Sequence, residues 1–135
     1  MAQKTFPAED SALNDWLAFA ENALEMADCP MKTAMAVTVA LEEVFVNVAH
    51  YAYPGGSGSV CLSIDFDEEH RAMTFCVTDE GIPFNPLAKP DPDVTLPAEQ
   101  RQIGGLGIYM VKKSMDKVEY RYENGQNILT LRKAL

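Results

Sequence analysis

The stretch that most constrains the fold is Pro30–Tyr51, 22 residues that read as one apolar helix. Pro30 suits its first turn, where the missing N–H would be unpaired anyway. Met35, Leu41, Val44, Phe45 and Val48 make the helix largely apolar, so it calls for burial against a sheet. Within it, Glu43 and Asn47 are four residues apart, which at about 100° per residue puts them on one face. Glu42 points well aside. Taken alone, the pair is an ordinary polar pair on a partly exposed helix face.

The segments around this helix supply its cover. Residues 3–7 read as a short strand, followed by Glu9-Asp10-Ser11, any of which suits a helix start. Leu13, Trp16, Leu17, Ala20 and Leu24 recur at helical spacing and predict an amphipathic helix to about Ala27. Val60–Phe66 alternates in strand fashion after the turn at 54–59, and Arg71–Thr78 reads as its antiparallel partner. A third helix is expected over Ile108–Met115. Lys117–Glu123 and Asn127–Arg132 then flank Asn124-Gly125, a strong hairpin signal. Between the second strand pair and the third helix, prolines at 83, 86, 90, 92 and 97 forbid most regular structure. Loops of that length in a compact domain tend to be functional lids or disordered segments. The element order predicts an α+β fold: a two-layer sandwich in which three helices cover one face of a mixed, mostly antiparallel sheet.

A chain of 135 residues is the size of one domain, and 47% hydrophobic with 23% charged residues is a globular balance. Eleven basic against 20 acidic residues give −9, a field that repels nucleic-acid backbones and anionic membranes. Cys29, Cys61 and Cys76 have no metal-like spacing, and their odd count argues against a disulfide framework. No apolar signal core opens the chain, and no run is read as approaching the ~18–20 apolar residues of a membrane span. The expectation is a soluble, cytoplasmic protein with free thiols.

Three patches carry chemistry, and each is weak alone. They are Glu43/Asn47, Asp79-Glu-Gly81-Ile-Pro-Phe84 and Gly104-Gly-Leu-Gly107. Asp-x-Gly is a common turn in which Asp bonds its own backbone. Glycines entering a helix can cradle phosphate at the positive end of the helix dipole or act as a hinge. A Rossmann fingerprint fits poorly, because no βαβ unit surrounds these glycines.

Together, the order and separation of the three patches resemble a GHKL-type ATPase domain, the group that includes histidine-kinase catalytic domains. The resemblance is greatest to RsbW-like anti-sigma factors that are also serine-protein kinases. It spans residues 1–135 as a single histidine-kinase-like ATPase domain, with 82–103 as ATP lid. Glu43-Val-Phe-Val-Asn47 matches the family's Glu-x-x-x-Asn, Asp79-Glu-Gly81 its Asp-x-Gly box, and Gly104-Gly-Leu-Gly107 the glycine-rich end of its lid. The resemblance implies ATP and Mg²⁺ as cofactors. Asn47 is then the Mg²⁺ ligand, a neutral amide oxygen that suits an ion needing few protein ligands. Asp79 accepts from the adenine amino group, which selects against guanine and its carbonyl. Gly81 lets the backbone pass the base, while Gly104, Gly105 and Gly107 free it to wrap the phosphates. Asn127 stands where the family tends to have a threonine near adenine. Glu43 corresponds to the general base acting on a serine hydroxyl. The implied partners are a sigma factor and a STAS-type anti-sigma antagonist as substrate, with a homodimer as the family's frequent assembly.

Two readings stay open within that resemblance. The first is a serine/threonine-protein kinase that restrains a sigma factor, favoured by Glu43. The second is a non-catalytic ATP/ADP-dependent switch, favoured by Ile103 where these kinases often carry arginine. A detached histidine-kinase catalytic domain is disfavoured, since no phosphoacceptor-histidine helix is seen. A nucleotide-free α+β domain must explain three motifs by chance.

Overall fold

The computed structural model describes residues 2–88 and 105–135. Its strands are β1 (Ala2–Pro7), β2 (Ser59–Asp67), β3 (Ala72–Asp79), β4 (Lys117–Glu123) and β5 (Gln126–Ala134), and its helices α1 (Leu13–Met26), α2 (Met31–Asn47) and α3 (Gly105–Ser114). The sheet order is β1-β2-β3-β5-β4. Every one of its four pairings is antiparallel, so the sheet is not mixed as the sequence suggested. The reason lies in β5, which turns back from β4 through a tight hairpin and inserts against β3, leaving no parallel neighbours. Asn124 and Gly125 both have positive φ, 54° and 77°, as a two-residue I′ turn requires.

Period-two alternation decides what each strand gives to the core. Phe6, then Val60, Leu62 and Ile64, then Phe75 and Val77, and finally Leu129 and Leu131 point to the helices and are buried. The opposite face carries Cys61, Ser63, Thr74, Cys76, Thr78 and Thr130, polar or small residues suited to solvent. Helices α1 and α3 both pack on α2, which occupies the middle of the layer. Trp16 anchors α1: its ring lies 5.0 Å from that of Phe45 and 5.3 Å from that of Phe6, and its indole N–H donates to the Leu41 carbonyl at 3.1 Å. Full burial of each such side chain is worth about 1.5–3 kcal/mol.

Helix α1 stops where the sequence breaks its pattern. The Asp28 N–H reaches Glu25 O and the Cys29 N–H reaches Leu24 O, both at 3.0 Å, with Asp28 at φ 53°. That paired closure is a Schellman motif, here built on an aspartate instead of a glycine. Pro30 is the residue just ahead of the first turn of α2, with extended backbone (ψ 143°). Past Asn47 the helix continues as one π-helical turn, Val48–Ala52. Counted with that turn, Met31–Ala52 has 22 residues, long and apolar enough to cross a membrane by length and composition alone. The expectation that no run reaches this length is thus corrected. The physical reason is that α2 is apolar on two sides: Val37, Ala40, Leu41, Val44 and Phe45 fill the core, while Met31, Met35 and Val39 face out.

Candidate functional site

Two of the sequence patches meet at one end of the sheet. Asp79 is the last residue of β3, Asn127 sits directly opposite on β5, and Asn47 closes the last α-helical turn of α2. These three line one pocket with Val44, Val48, Ile108 and Tyr120. Phe84 and Pro86 form its outer wall. Its walls are chiefly apolar, which suits the faces of a flat base, and Asp79, Asn127 and Tyr120 form one hydrogen-bonded polar group in its lining.

Asp79 is buried, yet among the described residues only one of its carboxylate oxygens is hydrogen-bonded. Oδ1 accepts from the Gly81 N–H at 2.8 Å and from Asn127 Nδ2 at 2.9 Å. Oδ2 takes no hydrogen bond among the described residues. The Gly81 contact is the self-bonding turn expected of Asp-x-Gly, so the bland and functional readings of this motif hold together: one oxygen makes the turn and the other stays available.

Asn127 is committed on all four of its hydrogen-bonding positions. Nδ2 also donates to the Ile82 carbonyl at 2.8 Å, and Oδ1 accepts from the Phe84 N–H at 3.0 Å and from the Tyr120 hydroxyl. An amide offers two donors and two acceptor lone pairs, so nothing remains for a base edge. In this arrangement Asn127 holds Asp79 and ties residues 82–84 to the sheet. Burial pushes the Tyr120 phenol above its ordinary value, with the Asp79 and Tyr122 charges acting in the same direction. Tyr120 therefore stays a proton donor to Asn127.

Gly81 is required by a close approach of a different kind from the one expected. A Cβ there would overlap the carbonyl of Ala52, whose oxygen also accepts the Ile82 N–H at 2.9 Å. The π-helical turn after α2 and the segment after β3 are thereby locked backbone to backbone. Phe84 then stacks on Tyr51, with ring centroids 6.0 Å apart and planes at 28°. Tyr53 adds a second strap, its hydroxyl accepting from the Glu80 N–H at 2.8 Å and donating to Ser59 O.

Glu43 stands beside this pocket and not in its wall. A Cβ on Gly107 would collide with Glu43 Oε2, so the first turn of α3 reaches the carboxylate only because residue 107 lacks a side chain. Gly105 begins the helix. A carboxylate at a helix N-terminus is in the favourable end of the dipole, and phosphate oxygens would find the same field. The Asn47 side chain makes no hydrogen bond among the described residues, leaving its amide oxygen available to a hard cation. Gly104, Ile103, and all of the 82–103 loop beyond residue 88 lie outside the described residues. Elsewhere, His50 pairs with Asp10 at 2.9 Å and His70 with Asp67 at 2.8 Å, both structural surface contacts.

Sequence reasoning missed Tyr120 and Ala52. The alternation of β4 puts Tyr120 on the helix-facing side, a signal that was present. Nothing in the order of residues shows that Ala52 abuts Gly81, because that contact joins elements far apart in sequence.

Comparison with known proteins agrees with this geometry. The histidine kinase-like ATPase domain profile matches residues 6–133. Serine-protein kinase RsbW of Bacillus cereus (strain AH187) and of Bacillus mycoides (strain KBAB4) are each 26% identical over 95 residues, covering 67% of this chain and 58% of theirs. The chain thus aligns with less than two thirds of the length of these relatives. Among solved structures, the RsbU and RsbW domains of Rv1364c from Mycobacterium tuberculosis align at TM-score 0.65 and 13% identity, covering all of this chain and 33% of that one. The histidine kinase domain of the Erythrobacter litoralis EL346 blue-light activated kinase aligns at 0.62 and 16%, over 91% of this chain and 61% of that one. Sequence match, antiparallel α+β fold and the meeting of the motifs agree: the chain belongs to the histidine kinase-like ATPase domain family, in its RsbW-like GHKL branch.

Proposed function

We propose that this chain is an ATP-binding anti-sigma regulatory factor with serine/threonine-protein kinase activity toward a STAS-type antagonist. The observation that carries the reading is the meeting of Asn47 and the open Oδ2 of Asp79 in one pocket, with Glu43 held against Gly107 alongside. Asp79 Oδ2 accepts the exocyclic amine of adenine, and the apolar walls hold the ring. The donor chemistry fits Mg²⁺, since Asn47 presents a neutral amide oxygen and the ion would take its remaining ligands from phosphate and water. When bound, the ion supplies charge neutralisation among the phosphate oxygens. Glu43 receives the proton of the attacking serine hydroxyl, a role that depends on positioning more than on basicity. Residues 82–103 serve as lid. The space left inside the pocket is about 30 Å³, against roughly 300 Å³ or more for small-molecule sites, so Phe84 and Pro86 move outward to admit the base.

Calorimetry with ATP and Mg²⁺ tests the binding half. Asp79→Asn is expected to lose most affinity, and Asn47→Ala to lose the tightening that Mg²⁺ gives; unchanged titrations would remove those assignments. Transfer is tested with labelled ATP and a STAS protein from a neighbouring gene. Label should reach a serine or threonine with wild type and fail with Glu43→Ala. Tight ATP binding with no transfer by wild type favours the second reading, a partner-binding switch, which Ile103 in place of a basic lid residue supports.

A further inference from the structure

Eight large hydrophobic side chains are exposed in the described residues, and four of them, Met31, Met35, Val39 and Met110, line two adjoining grooves. The four are between 49% and 78% exposed, where an isolated surface apolar residue needs no explanation but a cluster does. One groove, about 430 Å³, runs between α1 and α2 past Leu24, Cys29, Ala34 and Thr38. The other, about 290 Å³, runs between α2 and α3 past Ala36, Ala40 and Val111, and ends at Glu43. Met35 belongs to both and forms the ridge between them.

We infer that this face docks an amphipathic helix of a partner protein, apolar along one stripe and edged with lysine or arginine. Three features choose that occupant. Twelve residues of α2 separate Met31 from Glu43, about 18 Å at 1.5 Å per residue, the length of a three-turn helix. Methionine side chains are unbranched and adapt to a partner's surface, as helix-binding grooves require. The charged residues in the groove walls are Glu21, Glu25 and Glu43, with no basic residue among them. Lys113 is drawn over the Tyr109 ring, and Lys32 stands beside Met31 without lining either groove.

The same acids weigh against the other occupants. A two-fold dimer through this face would set the Glu21 and Glu25 rims of two copies against each other. An anionic bilayer would be repelled by the rim and by the net charge of −9. The surface stands independently of phosphoryl transfer, so its test reads binding alone.

The experiment uses the whole chain with ¹³C-methyl methionine, titrated with a synthetic leucine/lysine helix of about twelve residues to match the groove. Methyl signals of Met31, Met35 and Met110 should shift, while those of buried Met73 and Met115 stay. Met35→Asp and Val39→Asp, both at exposed positions, should each weaken the peptide at least about tenfold, with the Trp16 indole signal unchanged to report an intact core. A leucine/glutamate helix should bind at least tenfold more weakly. Equal binding of the acidic helix, or no effect of Met35→Asp, overturns the inference. So does capture by phosphatidylglycerol vesicles, or a dimer in sedimentation that Met35→Asp dissolves.

Discussion

Removal of the Asn127 side chain should be felt out of proportion to its size. Asn127→Ala deletes four hydrogen bonds and leaves the Ile82 carbonyl, the Phe84 N–H and the Tyr120 hydroxyl without these partners, while Asp79 Oδ1 keeps only the Gly81 N–H. A made hydrogen bond contributes about 0.5–1.5 kcal/mol net, and a buried group left unpaired costs about 1–3 kcal/mol. Summed at face value this reaches several kcal/mol, but the vacated amide joins a pocket of about 30 Å³, room for a water to restore part of it. The expected loss is about 2–4 kcal/mol, a large share of the roughly 5–15 kcal/mol typical of a domain. Urea unfolding followed by Trp16 fluorescence reads it. With a slope of about 1–3 kcal/mol per molar, the midpoint falls by roughly 1–2 M. Asn127→Asp sharpens the cause. It keeps the shape but sets a second carboxylate against Asp79, and one of the two must then have a raised pKa. A raised folded pKa adds stability as pH falls, so this variant should be most impaired near neutral pH and recover toward pH 5 or below, while Asn127→Ala should not. A loss below about 1 kcal/mol in Asn127→Ala, or an identical pH profile in the two variants, refutes the account of a saturated amide.

Other perturbations separate structure from chemistry. Gly81→Ala drives a Cβ into the Ala52 carbonyl, a backbone atom that cannot swing aside, and should cost about 1–3 kcal/mol in the same urea assay. Gly107→Ala meets only the tip of Glu43, so stability should hold or rise by about 0.5–1 kcal/mol from the helix preference for alanine, while label transfer to the proposed STAS substrate should fall sharply. Trp16→Phe loses the indole bond to Leu41 O and some core volume, and a midpoint drop equivalent to about 1–3 kcal/mol is expected. For Asp116, the Ala134 N–H, then Lys133 and Arg132, hold the carboxyl below its ordinary value. Its contribution is therefore present above the ordinary carboxylate pKa and lost as pH falls through the lower folded value. Asp116→Asn should trail wild type by less than about 1 kcal/mol at pH 7, since the site is largely solvent-screened, and the gap should close near pH 3.

Local rules made much of this molecule readable in advance. Helical spacing placed α1 and α2, alternation placed the strands, and Asn124-Gly125 marked its hairpin, because each signal acts over a few residues. Asp79 and Asn47 were legible as site candidates only through their joint order along the chain. The saturation of Asn127 was not legible, since it depends on Tyr120, Ile82 and Phe84 converging from β4 and the loop after β3. The apolar outer face of α2 was hidden for another reason: Met35 was counted toward the core, and composition cannot say which way a helix is turned.

The insertion of β5 between β3 and β4 also sets a schedule for assembly. Strands β2 and β3 are joined by a short turn and can zip early, but the β3 edge then waits for residues beyond 126. Asp79 and Asn127 are 48 residues apart, so the carboxylate meets its amide only in this late step. Until then β3 offers an open hydrogen-bonding edge, the part of the growing chain most exposed to wrong pairing. A nascent chain halted before β5 would therefore carry every motif of the first two strand pairs and still lack a nucleotide pocket.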